Sequence, residues 1–278
     1  MFRYTKLTLL REVLLWVLAA VFLLPFYFLI ATALKPDSEI YTTSPVAWPK
    51  SPTLASFGSA FTGQGNANIV TGLINSVIMT AGSILGLVLL GALTGYVLSR
   101  STRRWSRGAY YLFLIAIVLP TQLGTVPLYI GARTIGLTGT LWGMIILYTG
   151  MLLPLSIFLY AGFFRQLGTE YEEAAAIDGA SKTQIFFSIV LPLMSPATGT
   201  VAILAGLIVW NDFFTALIFL GGSQNQTLPV SMYYFIGSLV SKWNSIFAIV
   251  IISMIPILAF YLFAQKRFIQ GFAGGLKG

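Results

Sequence analysis

The 278-residue sequence contains no histidine and no cysteine. These absences remove Ser–His and Cys–His nucleophile pairs, histidine-based metal sites, disulfides and thiol redox chemistry. Charge is almost as scarce. Charged residues make up 9 % of the chain, against about 25 % in an ordinary soluble domain. Only eight are acidic, and 57 % of the residues are hydrophobic. The mean hydropathy is +0.86. So few charges cannot cover the surface of a soluble globule, and so much apolar surface does not leave a chain disordered. The composition therefore reads as an all-α integral membrane protein. The net charge of +8 would suggest nucleic acid only in a soluble protein; here no nucleic-acid partner is expected, and the basic residues report topology instead.

A membrane-crossing helix needs about 20 mainly apolar residues. Six segments qualify: Glu12–Leu34, Ile69–Ser99, Gly108–Ile130, Gly139–Phe164, Leu193–Leu220 and Ser245–Gln265. None shows the period-two alternation of a membrane barrel. Twelve of the 16 Lys and Arg residues fall on one side of this map, among them Arg100, Arg103, Arg104 and Arg107. Only Lys35, Lys50, Arg133 and Lys242 fall on the other. Basic loops stay in the cytoplasm, so the N- and C-termini are both expected to be cytoplasmic. Ala31-Thr32-Ala33 resembles a signal-peptidase site, but the apolar run before it exceeds the ~7–15 residues of a cleaved signal. The first span is read as retained. The chain then divides into 1–68 (first helix and external loop), a core of 69–265 and a C-terminal cytoplasmic tail, 266–278. The external loop has a short helix expected around Leu54 to Phe61.

Inside the membrane, Gly82/Gly86 and Gly91/Gly95 are small-xxx-small pairs that let helices approach closely. At 3.6 residues per turn the pairs would point to opposite faces. Pro120, Gly124 and Pro127 bend the third span, either as a pore-lining kink or as an approaching helix end. Asp212, within Trp210-Asn211-Asp212-Phe213, is the one acid well inside a span. Such an acid faces a cavity or a partner; a packing hydrogen bond to Asn75 and a substrate contact both fit. Trp210 would stack on a sugar ring or anchor the helix. Asn75, Pro120, Gln122, Trp210, Asn211 and Asp212 are the translocation-path candidates.

The loop 165–192 between the fourth and fifth spans carries the densest charge. Thr169 and Glu172 fit a capping box that starts a helix over Glu173-Ala174-Ala175-Ala176-Ile177. Gly179 fits a left-handed helix end. Ser181 with Gln184 repeats the capping box. Ile185, Phe186, Ile189 and Val190 then form one apolar face. A helix–glycine–helix knob results, small and charged, suited to a cleft in a soluble partner. Its acids argue against lying on the negative inner leaflet.

Glu173-Ala174-Ala175, Gly179, Ile189, Leu191 and Pro192 together resemble the EAA motif of ABC importer permeases. The run through Asp178, Gly179, Ala180 and Ser181 resembles the carbohydrate-uptake, maltose-type branch, as do Trp210–Phe213 and the ending Gly274–Gly278. Gly168 departs from the family pattern, where proline is usual. The resemblance implies six transmembrane helices in the type I ABC importer permease fold and a place in a bacterial or archaeal cytoplasmic membrane. It implies transport of a sugar or oligosaccharide, with Glu173, Ala174, Ala175, Asp178, Gly179 and Ala180 coupling to the ATPase. It further implies a homologous second permease, two copies of a cytoplasmic ABC ATPase that bind ATP and Mg, and an extracytoplasmic solute-binding protein. By the same resemblance, the loop Gly221–Asn244, through Ser223, Gln224, Asn225 and Gln226, contacts the binding protein or is an ordinary connector. The tail, through Lys277 and Gly278, contacts the ATPase or ends free; being Gly-rich, it should be flexible alone.

The chain itself should be no enzyme and should bind no cofactor or metal. Gly179–Thr183 falls short of a P-loop, because Ser181 stands where the glycine before the lysine is required. A secondary transporter would use several ionisable groups or broken helices in the membrane, and only Asp212 and the bent third span speak for it. A membrane-embedded enzyme would lack obvious acid–base groups.

Overall fold

A computed structural model of the chain describes residues 5–62, 68–238 and 242–275. Among these, helix dominates and no strand occurs. The first span is α1 (Lys6–Ala33), started by a Thr5–Thr8 capping box. Two short helices follow, α2 (Asp37–Ile40) and α3 (Ala55–Ala60), the latter where one was expected. The core elements are α4 (Ile69–Arg100), α5 (Arg104–Val118), α6 (Thr125–Thr134) and α7 (Leu141–Gln166). The loop helices α8 (Glu170–Ile177), α9 (Lys182–Gln184) and α10 (Leu191–Leu193) lead into α11 (Ser195–Asn211) and α12 (Phe214–Phe219). The chain closes with α13 (Leu228–Ser238) and α14 (Trp243–Gly275). The residues up to Ile69 group with Met232–Ile255 as one compact unit, and Val70–Ser231 with the residues from Pro256 onward as another.

Among the described residues, four helices are long and apolar enough to cross a membrane by themselves. Two more spans are bent pairs. Arg104–Val118 and Thr121–Thr134 meet at 95°, and Lys182–Leu193 and Ser195–Asn211 at 71°. The first break follows from Pro120. Leu119 adopts an extended φ/ψ of −70°/127°, as a residue before proline must. The bend of the third span is therefore close to a right angle, and Pro127 sits in the first turn of α6, where a missing N–H costs no helical hydrogen bond.

The fifth span is shorter than the sequence map. It ends at Asn211, and Asp212 leaves the helix at φ/ψ −73°/118°. No proline or glycine marks this break. Asp212 sustains it by accepting the Thr215 amide at 3.2 Å and so opening α12.

The glycine stripe of α4 also differs from expectation. All four glycines face one helix, α7: a Cβ on Gly82 would meet Ile145, on Gly86 Thr149, on Gly91 Ser156 and on Gly95 Tyr160. The expected separation of the two pairs onto opposite neighbours does not occur. Ser156 closes the contact by donating to the Leu87 carbonyl at 2.9 Å. Gly72 is likewise buried and faces Ser231.

The segment Gly221–Asn244 is more than a loop, since it contains α13. The expected flexible tail is helical as far as Gly275, as a continuation of α14. Lys277 and Gly278 lie outside the described residues.

Candidate coupling and translocation sites

The loop 165–192 folds as a helix, a left-handed turn and a second helix. In α8 the acidic residues Glu170, Glu172 and Glu173 occupy the first turn, where they complement the helix dipole. The expected Thr169–Glu172 capping box is absent. Thr169 has near-helical dihedrals and no capping bond, and its hydroxyl donates to Glu173 at 2.7 Å instead. Glu172 is diverted to a longer-range task described below. Gly179 ends the helix at φ +83°, and its amide donates to the Ala176 carbonyl at 3.1 Å. Only glycine adopts this conformation without strain. Ser181 and Gln184 form the expected capping box. Ahead of Pro192, which has no N–H to continue the ladder, Ile185–Val190 widens into a π-helical turn.

The knob has one seated face and one free face. Ala175, Ile185, Phe186 and Val190 are buried in a cluster with Leu87, Tyr160 and Phe164 of α4 and α7. Tyr96 packs edge-on against Phe164 at 5.5 Å and lies 5.2 Å from Phe186. On the other side, Glu173, Ala174, Asp178 and Gly179 are exposed and Ala180 is half-buried. Ile177, an apolar group, is 86 % exposed at the tip.

A polar latch fixes the knob to the spans. Arg100, the last residue of α4, donates through Nε to Glu172 at 2.8 Å. It also donates to the Phe164 and Leu167 carbonyls at 2.9 Å each. Tyr96 donates to the other Glu172 oxygen at 2.7 Å. One guanidinium thus joins the end of α4, the end of α7 and the first turn of α8. Sequence reading missed this latch. Arg100 counted only as a topology charge and Glu172 only as a cap; the two lie 72 residues apart, beyond any local pattern.

The second site lies between the two helix breaks. A cavity of about 290 Å³ is lined by Gln122, Thr125, Tyr148, Asn211, Asp212 and Thr215, with Met151, Leu152, Ile208 and Phe214 as its apolar part. Tyr148 is 2 % exposed, and its hydroxyl donates to Asp212 at 2.9 Å. Three of the expected translocation residues, Gln122, Asn211 and Asp212, meet here. The other three do not line this cavity. Pro120 acts through the bend that opens it. Trp210 is buried on another side of α11, against Val77, Ala81, Pro256 and Phe260. Asn75 is not the partner of Asp212: it is buried and donates to the Gln226 carbonyl at 2.9 Å. Tyr148 takes that place, and its position mid-α7 gave no sequence signal. A carboxylate, two amides, threonine hydroxyls and an aromatic ring around one cavity form a site able to hydrogen-bond a hydroxyl-rich solute.

The Gly221–Gln226 stretch is tied to its surroundings. Ser223 donates to Leu220, Asn225 to Gly139 and Gln226 to both Leu220 and Ser223, all at 2.8–3.0 Å. Gln226, expected as a surface contact, is 2 % exposed and structural. Gln224 remains exposed, and Ser223 and Asn225 are half-buried.

The chain matches the family described as "Binding-protein-dependent transport system inner membrane component" over residues 87–274. It is 33 % identical to the melibiose/raffinose/stachyose import permease protein MelC of Bacillus subtilis, over 94 % of each chain. It is 30 % identical to a probable starch degradation products transport system permease protein, AmyC, of Thermoanaerobacterium thermosulfurigenes, over 93 % of each. Its fold is similar to that of a chain in the crystal structure of a bacterial ABC transporter involved in the import of the acidic polysaccharide alginate. That likeness has a TM-score of 0.82 at 21 % identity and covers 96 % of this chain and 100 % of that one. The helical core, the loop with its left-handed glycine and these relatives agree, and the chain belongs to the inner-membrane permease components of binding-protein-dependent ABC importers.

Proposed function

We propose that this chain is one half of the membrane path of an ATP-driven importer for a sugar or oligosaccharide, in a bacterial or archaeal cytoplasmic membrane with both termini inside. The observation that carries the reading is the knob. Its free face presents Glu173, Ala174, Asp178 and Gly179, and its other face is bolted through Glu172 and Arg100 to two spans. A partner that grips the free face moves α4 and α7 as one body. Rigid movement of packed helices about a binding site is how alternating access is achieved.

The partners follow from that role. A homologous permease completes the path, and two copies of a cytoplasmic ATPase hold ATP and Mg. An external binding protein delivers the solute, contacting the exposed part of Ser223–Asn225. This chain then needs neither nucleotide nor metal of its own. The sugar class rests on the named substrates of MelC and AmyC together with the polyhydroxyl-binding character of the Asp212 cavity.

Because the chain has no cysteine, single cysteines report cleanly. A cysteine at exposed Ala176 should cross-link to the co-expressed ATPase, and one at exposed Tyr233 should not. Absence of any Ala176→Cys adduct in an assembled, active transporter would overturn the docking role. Cysteines at Ser51 and Ser101 should label from opposite sides of intact cells, and labelling from the same side would overturn the topology.

A further inference from the structure

A second cavity, of about 550 Å³, opens where α4 ends and α5 begins. Its rim carries Arg103, Arg107 and Arg165 with Ser101 and Thr102, and its floor reaches Leu114. No Asp or Glu lines it. The three guanidinium groups are not neutralised by the ion pairs found among the described residues, which are Arg100–Glu172 and Lys242–Asp37. Arg165 is steered toward the cavity by Tyr110, whose ring centroid lies 4.3 Å from the guanidinium carbon.

Tyr111 and Leu114 of α5 also line the cavity, and around the other faces of α5 Trp105, Leu112 and Ile115 are 57–70 % exposed, at the first turns of a membrane-crossing helix. Aromatic residues at that level mark the headgroup boundary. A cavity with three cations at the boundary, on a helix whose other faces expose apolar side chains, matches one chemistry: a phosphate group attached to an apolar tail. Basic pockets between membrane helices hold anionic headgroups, and arginine forks match phosphate oxygens.

We propose that this cavity binds a phosphate group, supplied by an anionic phospholipid seated against α5. The proposal rests on the reading of the chain as a membrane permease but not on its substrate or its ATPase. Arg103 and Arg107 are exposed and take part in neither ion pair found among the described residues, so replacing them should leave the fold intact.

The test uses the assembled transporter. Native mass spectrometry after extraction from membranes containing phosphatidylglycerol and phosphatidylcholine would count retained lipids for wild type, Arg103→Gln/Arg107→Gln and Arg103→Lys/Arg107→Lys. Wild type should retain phosphatidylglycerol in preference to phosphatidylcholine, the glutamine pair should lose that retention by about tenfold, and the lysine pair, which keeps the charge without the fork, should fall between the two. A parallel arm measures the melting temperature with inorganic phosphate. A phosphate-induced rise in wild type that vanishes in the glutamine pair, without lipid retention, would keep the phosphate site and assign it to a soluble ligand. Equal phosphatidylglycerol retention by wild type and the glutamine pair, with no phosphate effect, would overturn the proposal. Because neither readout depends on uptake, its failure is distinct from a failure of the importer assignment.

Discussion

Cutting the Arg100–Glu172 latch should uncouple ATP hydrolysis from transport. The two side chains are 20 % and 14 % exposed and their charged atoms lie 2.8 Å apart. A hydrogen bond to a charged group contributes about 1.5–3 kcal/mol, and removing one partner of a fully buried ion pair costs about 3–5 kcal/mol. Residual exposure lets water reach the stranded group, so the lower part of that range, about 2–3 kcal/mol, applies here. This corresponds to roughly 30- to 150-fold in the balance between seated and unseated α8. Glu172→Gln keeps one acceptor oxygen where Glu172 uses two, one for Arg100 and one for Tyr96, and should lie at the mild end. Arg100→Gln also strips donors from the Phe164 and Leu167 carbonyls and should be worse. In proteoliposomes holding the assembled importer, both variants should hydrolyse ATP while moving less solute per ATP. In a double-mutant cycle their effects on melting temperature should be strongly non-additive. Wild-type stoichiometry in Arg100→Gln would refute the claim that the latch transmits movement.

Three other outcomes are expected. Gly179→Ala should cost about 1–2 kcal/mol through the positive φ alone, because a Cβ there meets nothing within 4 Å in this chain; Gly179→Leu should further reduce ATPase copurification, and equal copurification by the two would deny a tight cleft. Asp212→Ala leaves the buried Tyr148 hydroxyl unpaired and should lower stability by about 1–3 kcal/mol, whereas Asp212→Asn should keep stability and raise KM for uptake; an unchanged KM would make Asp212 purely structural. The segment held by Glu39 should loosen in acid. The Lys50 amide, followed by that of Ser51, holds this carboxyl below its ordinary range against the upward push of burial, so its stabilisation is present above the ordinary carboxylate pKa and is lost as pH falls through the depressed one; hydrogen-exchange protection of the Lys50 and Ser51 amides should fall only in that acid window and be reduced at every pH in Glu39→Gln.

Much of the fold was legible because its signals are local or compositional. Apolar runs located the spans, Gly179 marked a left-handed turn, and Ser181 with Gln184 marked a cap, each within four residues of chain. The apolar face of Ile185, Phe186 and Val190 was legible from helical spacing and is buried as expected. What escaped depends on distance in the sequence. The Arg100–Glu172 and Tyr148–Asp212 pairs are brought together only by the packing of α4, α7 and α11. Thr169 and Glu172 matched a capping box, but a stronger charged partner claimed Glu172. Asp212 broke a helix without proline or glycine, through a side-chain bond that spacing does not reveal. Gln226 read as an exposed loop residue because polarity suggested surface, while buried carbonyls at Leu220 and Ser223 needed its donors. The glycine-rich ending read as flexible, yet helix α14 carries on as far as Gly275.

Import is expected to be driven by ATP, acting through the knob of loop 165–192. The most direct test is solute uptake into proteoliposomes containing this chain, its partner permease and the ATPase, with the binding protein outside. Uptake should require internal ATP and the binding protein, persist when ionophores collapse proton and sodium gradients, and fall together with ATPase coupling in Arg100→Gln. Uptake that proceeds without ATP and stops when an ion gradient is collapsed would contradict the account and make the chain a secondary transporter.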